Sequence, residues 1–458
     1  MLRNDGRMQP SGLLIALSGT SYSIVHVSDN LSSFFNMSVD ELLFTKLADI
    51  SNEQDVNIMQ SRIAQDYDFK GPLYFTFRVK GKLYNFEGEL HRTEELMILE
   101  LLPFDNNSKL DNFDEALTNY VESDQVYKVE DILKEAVSQA HKITDYEKVE
   151  LYRMISSTTA ELFALSYPSD TQEVGSVYSM EDIMLQNTGQ YKSEPQLLYD
   201  VNYKPAHIIP KYEMKTHQTI DPVLLRDVSP NRLELLRSAG SKACLLIPIT
   251  CKDELWGAIA CHNSKPKQLF YEVRHSCEVL GKNLSELISR RISQKESRQF
   301  DVQSDRLGTF IKEISHTDNW IEHCLNHTET LIDAMNATGA VVYFNNQQIL
   351  LGTTPSSEEI SEIRKRIKHQ LAANDVYITK GEKGPSASML AMSFYKYKDD
   401  MIIWFRSSDY ISDMDSCGQW NYVDVQVCRT FKQSLLVEIL KQTIRSKKAE
   451  KLMKGLIC

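Results

Sequence analysis

Three histidines are the first residues whose types and spacing could do chemistry. His323 and His327 stand four residues apart, with His316 a little before them. On a helix, that spacing places two imidazoles on one face, where they could share a divalent metal. No HExxH string brings a carboxylate base to them, and the simpler expectation is a pair of solvent-exposed helix residues. Eight cysteines (Cys244, Cys251, Cys261, Cys277, Cys324, Cys417, Cys428 and Cys458) lack any CxxC spacing, which argues against a zinc ribbon and a disulfide framework. They read as reduced thiols, mostly buried. No GxGxxG, GxxxxGKS/T or GxSxG string occurs, and no Ser, His or Cys spacing marks a nucleophile with its base. Neither a metal site nor a catalytic residue is expected.

Charge excludes further classes. The net charge is −12 and the pI near 5.5, so the overall field repels polyphosphate. The only basic run, Arg445 to Lys454, falls on a C-terminal helical pattern, and nucleic acid is not an expected partner. No stretch approaches the roughly eighteen consecutive apolar residues that a membrane span needs. Met1 to Met8 is polar where a signal peptide would be apolar, so a cytoplasmic location is expected.

At 458 residues the chain has the length of about three domains. Short apolar runs at Leu13–Leu17 and Leu96–Leu102 flank a helical middle, Val39–Tyr67, and read as a small α+β domain. A polar stretch, Phe104–Tyr120, marks a linker. Next come a helix over Val129–Ile143, strands at Lys148–Met154 and Glu161–Ser166, and a long irregular stretch to Pro230. A helix at Arg232–Ser238 follows, then a hairpin of Ala243–Thr250 and Trp256–His262 around the turn Cys251–Glu254. From Tyr271 to about Met335 apolar residues recur at helical spacing with hardly a Gly or Pro, predicting one long helix between two domains. The last part carries strands at Ala340–Phe344, Leu390–Tyr395 and Met401–Phe405. It ends in a helix over Val423–Leu456, whose Leu435, Leu436, Ile439, Leu440, Ile444 and Leu452 fit either a dimer seam or packing on the sheet.

Two strings carry a resemblance. DVSPNRLELLR (Asp227–Arg237), followed by LWGAIACH (Leu255–His262), is similar to the chromophore-binding GAF domain of bacterial phytochromes. MQPSGLL (Met8–Leu14) and VSDN (Val27–Asn30) resemble the start of that family's PAS domain. ITDYEKVELYR (Ile143–Arg153) resembles the first GAF strand, and DVNY (Asp200–Tyr203) the entrance of its lasso. IIWFR (Ile402–Arg406) and FKQSLLVEIL (Phe431–Leu440) resemble the PHY domain. The resemblance implies an α+β fold of three tandem domains with central antiparallel sheets, joined by a long helical spine. The expected boundaries are PAS 1–106, a linker 107–123, GAF 124–292, PHY 293–440 with a connecting helix of about 271–335, and a signalling helix 441–458.

The same resemblance points to an altered bilin pocket. The family attaches its chromophore through a cysteine upstream of the Gln-Pro motif or just after the pocket histidine. None of the eight residues before Gln9 is cysteine, Arg232 stands in the place of the histidine, and Leu233 in that of the second cysteine. A guanidinium is permanently cationic and only donates, so it would repel a protonated bilin. The remaining pocket positions are Tyr152, Asp182, Ile183, Tyr191, Ser229 and His262. Tyr152 and His262 could equally pack in a core with their polar atoms satisfied. Asp182 could pair with Arg232, or with the PHY domain through Arg406; a cap carboxylate is the simpler alternative. The hairpin that seals the pocket in the family is reduced here to Ser407–Trp420. The expectation is a chromophore-free sensory module without catalytic activity. It would act as a homodimer through its GAF and PHY helices and relay a conformational change to an output domain or partner protein. The alternative is a red/far-red photoreceptor holding biliverdin or another linear tetrapyrrole noncovalently.

Overall fold

Short apolar runs build most of the long strands, with clear apolar–polar alternation in Leu73–Val79. The strands of the first part are β1 (Arg7–Met8), β2 (Leu13–Ser18), β3 (Ser23–Ser28), β4 (Leu73–Val79), β5 (Lys82–Arg92) and β6 (Leu96–Pro103). The next group is β7 (Lys148–Met154), β8 (Thr159–Leu165), β9 (Val177–Ser179), β10 (Gln196–Leu198), β11 (Ala206–Ile209), β12 (Ala243–Cys251) and β13 (Glu254–Asn263). The last is β14 (Gly339–Phe344), β15 (Gln347–Gly352), β16 (Val376–Ile378), β17 (Met389–Ser393) and β18 (Met401–Phe405). This computed structural model describes residues 6–456 except 19–20, 67–68, 70, 94, 105–127, 157, 167–172, 186–193, 210–219, 221, 318, 374–375, 380–387, 395–399 and 407–419.

Two units follow, Met1–Arg291 and Ile292–Cys458. The first holds a sheet ordered β1-β11-β3-β2-β6-β5-β4 and another ordered β10-β12-β13-β7-β8-β9. The second holds β15-β14-β18-β17-β16. All three are antiparallel throughout, so the fold is α+β with mixed helix and sheet in each part. In β4, Leu73, Phe75, Phe77 and Val79 turn inward at every second position onto an aromatic core with Phe35 and Phe86.

The long irregular stretch expected before Pro230 contains β9, β10, β11 and the helical turn Met180–Ile183. β11 leaves its own neighbourhood and pairs with β1 and β3. Gln9, fully buried just after β1, donates to the carbonyls of Leu197 (2.7 Å) and Arg226 (2.8 Å) and accepts from the Tyr199 amide (3.2 Å). Segments 196–199 and 225–226 thus hold the N-terminal strand from two directions. Glu100, also fully buried, accepts from three successive amides, Val223, Leu224 and Leu225, at 2.7, 3.2 and 2.7 Å, and its Oε1 lies 3.2 Å from His91 Nε2.

The long helix runs Tyr271–Ser315 rather than to Met335. It stops because the chain finds other partners: the Thr317 hydroxyl turns back on the Ile314 carbonyl (2.9 Å), and Asn319 caps a new helix, Trp320–Asn326, by accepting from the Ile321 amide (3.1 Å). His323 is packed rather than solvent-exposed: its side chain is 8% exposed, its Nε2 lies 3.0 Å from Glu313, and its ring contacts Phe310. His327 is exposed. In the C-terminal helix, Tyr422–Leu456, Leu435 and Ile439 face the core of their unit while Val437, Leu440 and Ile444 are exposed. Among the described residues no helix is long and apolar enough to cross a membrane, and no group of three or more His, Cys, Asp or Glu is placed to hold a metal.

Candidate functional site

The β12–β13 hairpin and β7 set the register of the site. Cys244, His262 and Lys148 stand opposite one another, as do Leu246, Ala260 and Glu150, and Pro248, Ala258 and Tyr152. With a side-chain period of two, all nine point to one face of the sheet. The backbones of β13 and β7 approach so closely that a Cβ on Gly257 would lie 2.5 Å from the Tyr152 carbonyl oxygen, so only glycine fits there.

On that face lies a charge that sequence reasoning missed. The Glu150 side chain is 1% exposed; its Oε1 is 2.8 Å from Lys148 Nζ, and its Oε2 accepts from the Tyr152 hydroxyl at 3.0 Å. Burial, and then Glu150, raise the Tyr152 phenol well above its ordinary pKa, so it acts as a neutral donor. His262 Nε2 is 3.7 Å from Glu150, beyond hydrogen-bond reach. The Ser241 hydroxyl donates to the Ala243 carbonyl (3.1 Å), so His262 Nδ1 carries the proton that it offers to Ser241 (3.2 Å). Burial, with Lys148 and Arg232 nearby, pushes the imidazole down to about 3, so it is neutral across the physiological range.

Arg232 enters from the helix Pro230–Ser238. Pro230 at the first helical position and the Ser229 hydroxyl, which accepts from the Arg232 amide at 3.4 Å, start that helix. Arg232 is 8% exposed and its Nη2 donates to the Ile183 carbonyl at 2.9 Å. Burial lowers its pKa, opposed by the nearby Cys244, Tyr152 and Asp182. Asp182 is exposed in the turn Met180–Ile183, and among the described residues it forms no ion pair with Arg232. Two residues beyond Ile183, the Leu185 amide donates to Gln196 Oε1 (3.2 Å). Tyr152 and Ile183 pack with Ala160, Leu162, Met184 and Leu246; Leu233 packs with Leu185, Leu198, Val228 and Cys244. Tyr191 lies outside the described residues, as does 407–419 of the expected sealing hairpin.

In the second unit, Arg406 grips Asp424 through both nitrogens (3.1 and 3.0 Å), takes the Met335 and Asn336 carbonyls, and lies 3.7 Å over the Trp420 ring. Asp424, fully buried, also accepts from Gln299 and Gln303 of the long helix, at 3.1 and 3.0 Å.

Three family models match in succession: a PAS fold over residues 2–104, a GAF domain over 128–292 and a phytochrome region over 304–412. The chain is 26% identical over 88% of its length to cyanobacterial phytochrome B of Nostoc sp., covering 56% of that protein. It is 24% identical over 87% of its length to phytochrome-like protein Cph1 of Synechocystis sp., again covering 56%. Bacteriophytochrome RpBphP3 from R. palustris superposes with a TM-score of 0.75 at 20% identity, over 95% of this chain and 97% of that one. The Stigmatella aurantiaca phytochrome photosensory core module gives 0.74 at 19%, over 95% and 96%. At these identities the two structures speak to the fold. The curated relatives are longer, since the chain spans 56–60% of the three foremost. With three matched regions in sequence, long alignments to named phytochromes and the same architecture throughout, the chain belongs to the phytochromes, as a PAS-GAF-PHY photosensory core.

Proposed function

We propose that this chain is a phytochrome-type sensory module that works without a bilin and passes a conformational change along the helix Tyr271–Ser315 to an output domain or partner. The supporting observation is Arg232 in the place of the family histidine, buried and tied to the Ile183 carbonyl. The neighbouring groups are already engaged with one another: Tyr152 with Glu150, Glu150 with Lys148, and His262 with Ser241. These residues do not fit a protonated bilin. The guanidinium repels it, and Tyr152, Glu150, Lys148 and His262 would have to break existing pairs to receive it. The module contributes no catalytic group of its own. It acts as a homodimer through its GAF and PHY helices, in the cytoplasm, with neither nucleic acid nor membrane as partner.

One observation favours a second reading, a photoreceptor holding biliverdin noncovalently: the Arg232 Nε has no acceptor among the described residues and could face a propionate. Coexpression with haem oxygenase separates the two. The purified protein is expected to be colourless, and a red-absorbing band that changes on illumination would establish the photoreceptor instead.

A further inference from the structure

Two buried donors beside one short segment have nothing to donate to. Arg232 and Gln196 are 8% and 4% exposed, and Arg232 Nε and Gln196 Nε2 find no acceptor among the described residues. Their other polar atoms hold the segment 183–185 at its two ends, Arg232 through the Ile183 carbonyl and Gln196 through the Leu185 amide. The Leu185 N–H requires an oxygen, which settles the orientation of the Gln196 amide and leaves its NH2 group as the unpaired end.

Arg232 is also a cation that forms no ion pair among the described residues. Its neighbours Cys244, Tyr152 and His262 are neutral, since burial raises the thiol and the phenol and lowers the imidazole, and the Asp182 carboxylate, which acts on it through space, stands in an exposed turn and does not pair with it. A guanidinium withdrawn from water without an anion costs several kcal/mol, and an unpaired buried N–H adds to that. An acid seated there would offset both. On the sheet face beneath, the small side chains of Cys244, Ala258 and Ala260 stand beside His262 and the mutually engaged Tyr152, Glu150 and Lys148, and the two apolar clusters around Ile183 and Leu233 adjoin it. The unpaired Arg232 Nε–H and Gln196 NH2 group together carry a single positive charge, a donor set that suits a monoanionic carboxylate. A phosphate dianion would keep surplus charge and unmet oxygens.

We infer that Arg232 and Gln196 are the receptor for a small carboxylate, and that its binding is the cue this GAF domain reads. This rests on the bilin-free reading of the same pocket. Because both side chains also hold the segment 183–185, a seated carboxylate stiffens that segment.

The test titrates the whole chain with sodium acetate and sodium succinate, against sodium chloride and phosphate at matched ionic strength. The readouts are the Arg232 ¹⁵Nε–¹Hε resonance and the melting temperature. A saturable shift of that resonance is expected with a carboxylate, with a melting point higher by roughly 2–5 °C at about tenfold excess over Kd. Arg232→Met should abolish the melting response and Gln196→Met should weaken binding about tenfold. If Arg232→Met does not fold, the wild-type resonance and Gln196→Met decide. A resonance that ignores both carboxylates, follows chloride equally or responds only to phosphate overturns the inference, as does a response unchanged in Gln196→Met. A parallel sample receives biliverdin. Colour with photoconversion defeats the bilin-free reading, whereas a colourless sample indifferent to acetate and succinate defeats only the carboxylate site.

Discussion

Arg232 Nη2 donates to the Ile183 carbonyl across 2.9 Å, joining the first turn of the Pro230–Ser238 helix to the end of the Met180–Ile183 turn. The bond makes the side chain part of the pocket wall. It does not neutralise the charge, because a carbonyl is a dipole and not a counter-ion.

The energetics of Arg232 and Glu150 should therefore differ. Arg232→Met removes a buried cation that forms no ion pair among the described residues, and is expected to cost less than about 1 kcal/mol or to stabilise. Glu150→Met leaves the Tyr152 hydroxyl buried without its acceptor, and is expected to cost about 1–3 kcal/mol. Urea unfolding of the two variants checks the order, and a larger loss for Arg232→Met contradicts it.

His262 should not titrate near neutrality. Its folded pKa is depressed to about 3, so below its unfolded value of about 6.5 the unfolded chain binds the extra proton. The stability it contributes is full above that value and declines as pH falls toward 3. Its ring ¹⁵N shifts should stay those of a neutral imidazole down to about pH 4. A midpoint near 6.5 would refute the buried, neutral assignment.

The Glu100–His91 clasp sets a pH window for the first unit. His91 is raised by Glu100, helped by Glu89 and Glu194, against the opposing effect of its own burial. Its contribution is present below about 6.5 and is lost as pH rises through the folded value. Glu100 is lowered by His91 and by the Val223 and Leu225 amides, although burial acts against it, so its contribution is present above the ordinary carboxylate value and is lost as pH falls through the folded one. Melting curves should show the alkaline limb flattened in His91→Ala. Glu100→Gln should flatten both limbs and cost about 3 kcal/mol or more. An unchanged alkaline limb in His91→Ala argues against the clasp.

In the second unit, Asp424 joins the long helix, β18 and the C-terminal helix through Gln299, Gln303 and Arg406. Asp424→Ala strands a largely buried guanidinium and should cost about 3–5 kcal/mol. The Trp420 ring under Arg406 makes tryptophan fluorescence a local reporter of that loss. A change within about 0.5 kcal/mol would mean the hub is not a keystone of this unit.

Short continuous apolar runs made β12, β13 and β18 legible, because strands buried on both faces need no polar alternation: Ile402 and Trp404 of β18 enter one core cluster and Met401, Ile403 and Phe405 another. β9, β10 and β11 were not legible: each has three or four residues in a polar stretch, and β11 owes its existence to β1 and β3, which lie far away in sequence. The long helix was overextended because Thr317 and Asn319 end it through side-chain bonds rather than a Gly or Pro. The positions of Tyr152, Arg232 and His262 came from family strings, but their partners did not. Glu150 and Glu100 were each visible as a carboxylate inside an apolar strand, a signal of an internal partner that was not used.

The most direct test of the account is the absorption spectrum of the purified chain mixed with excess biliverdin, recorded before and after red illumination. The account predicts the spectrum of free pigment and no light-induced difference. A shifted red band that photoconverts, with Arg232 still in place, contradicts it.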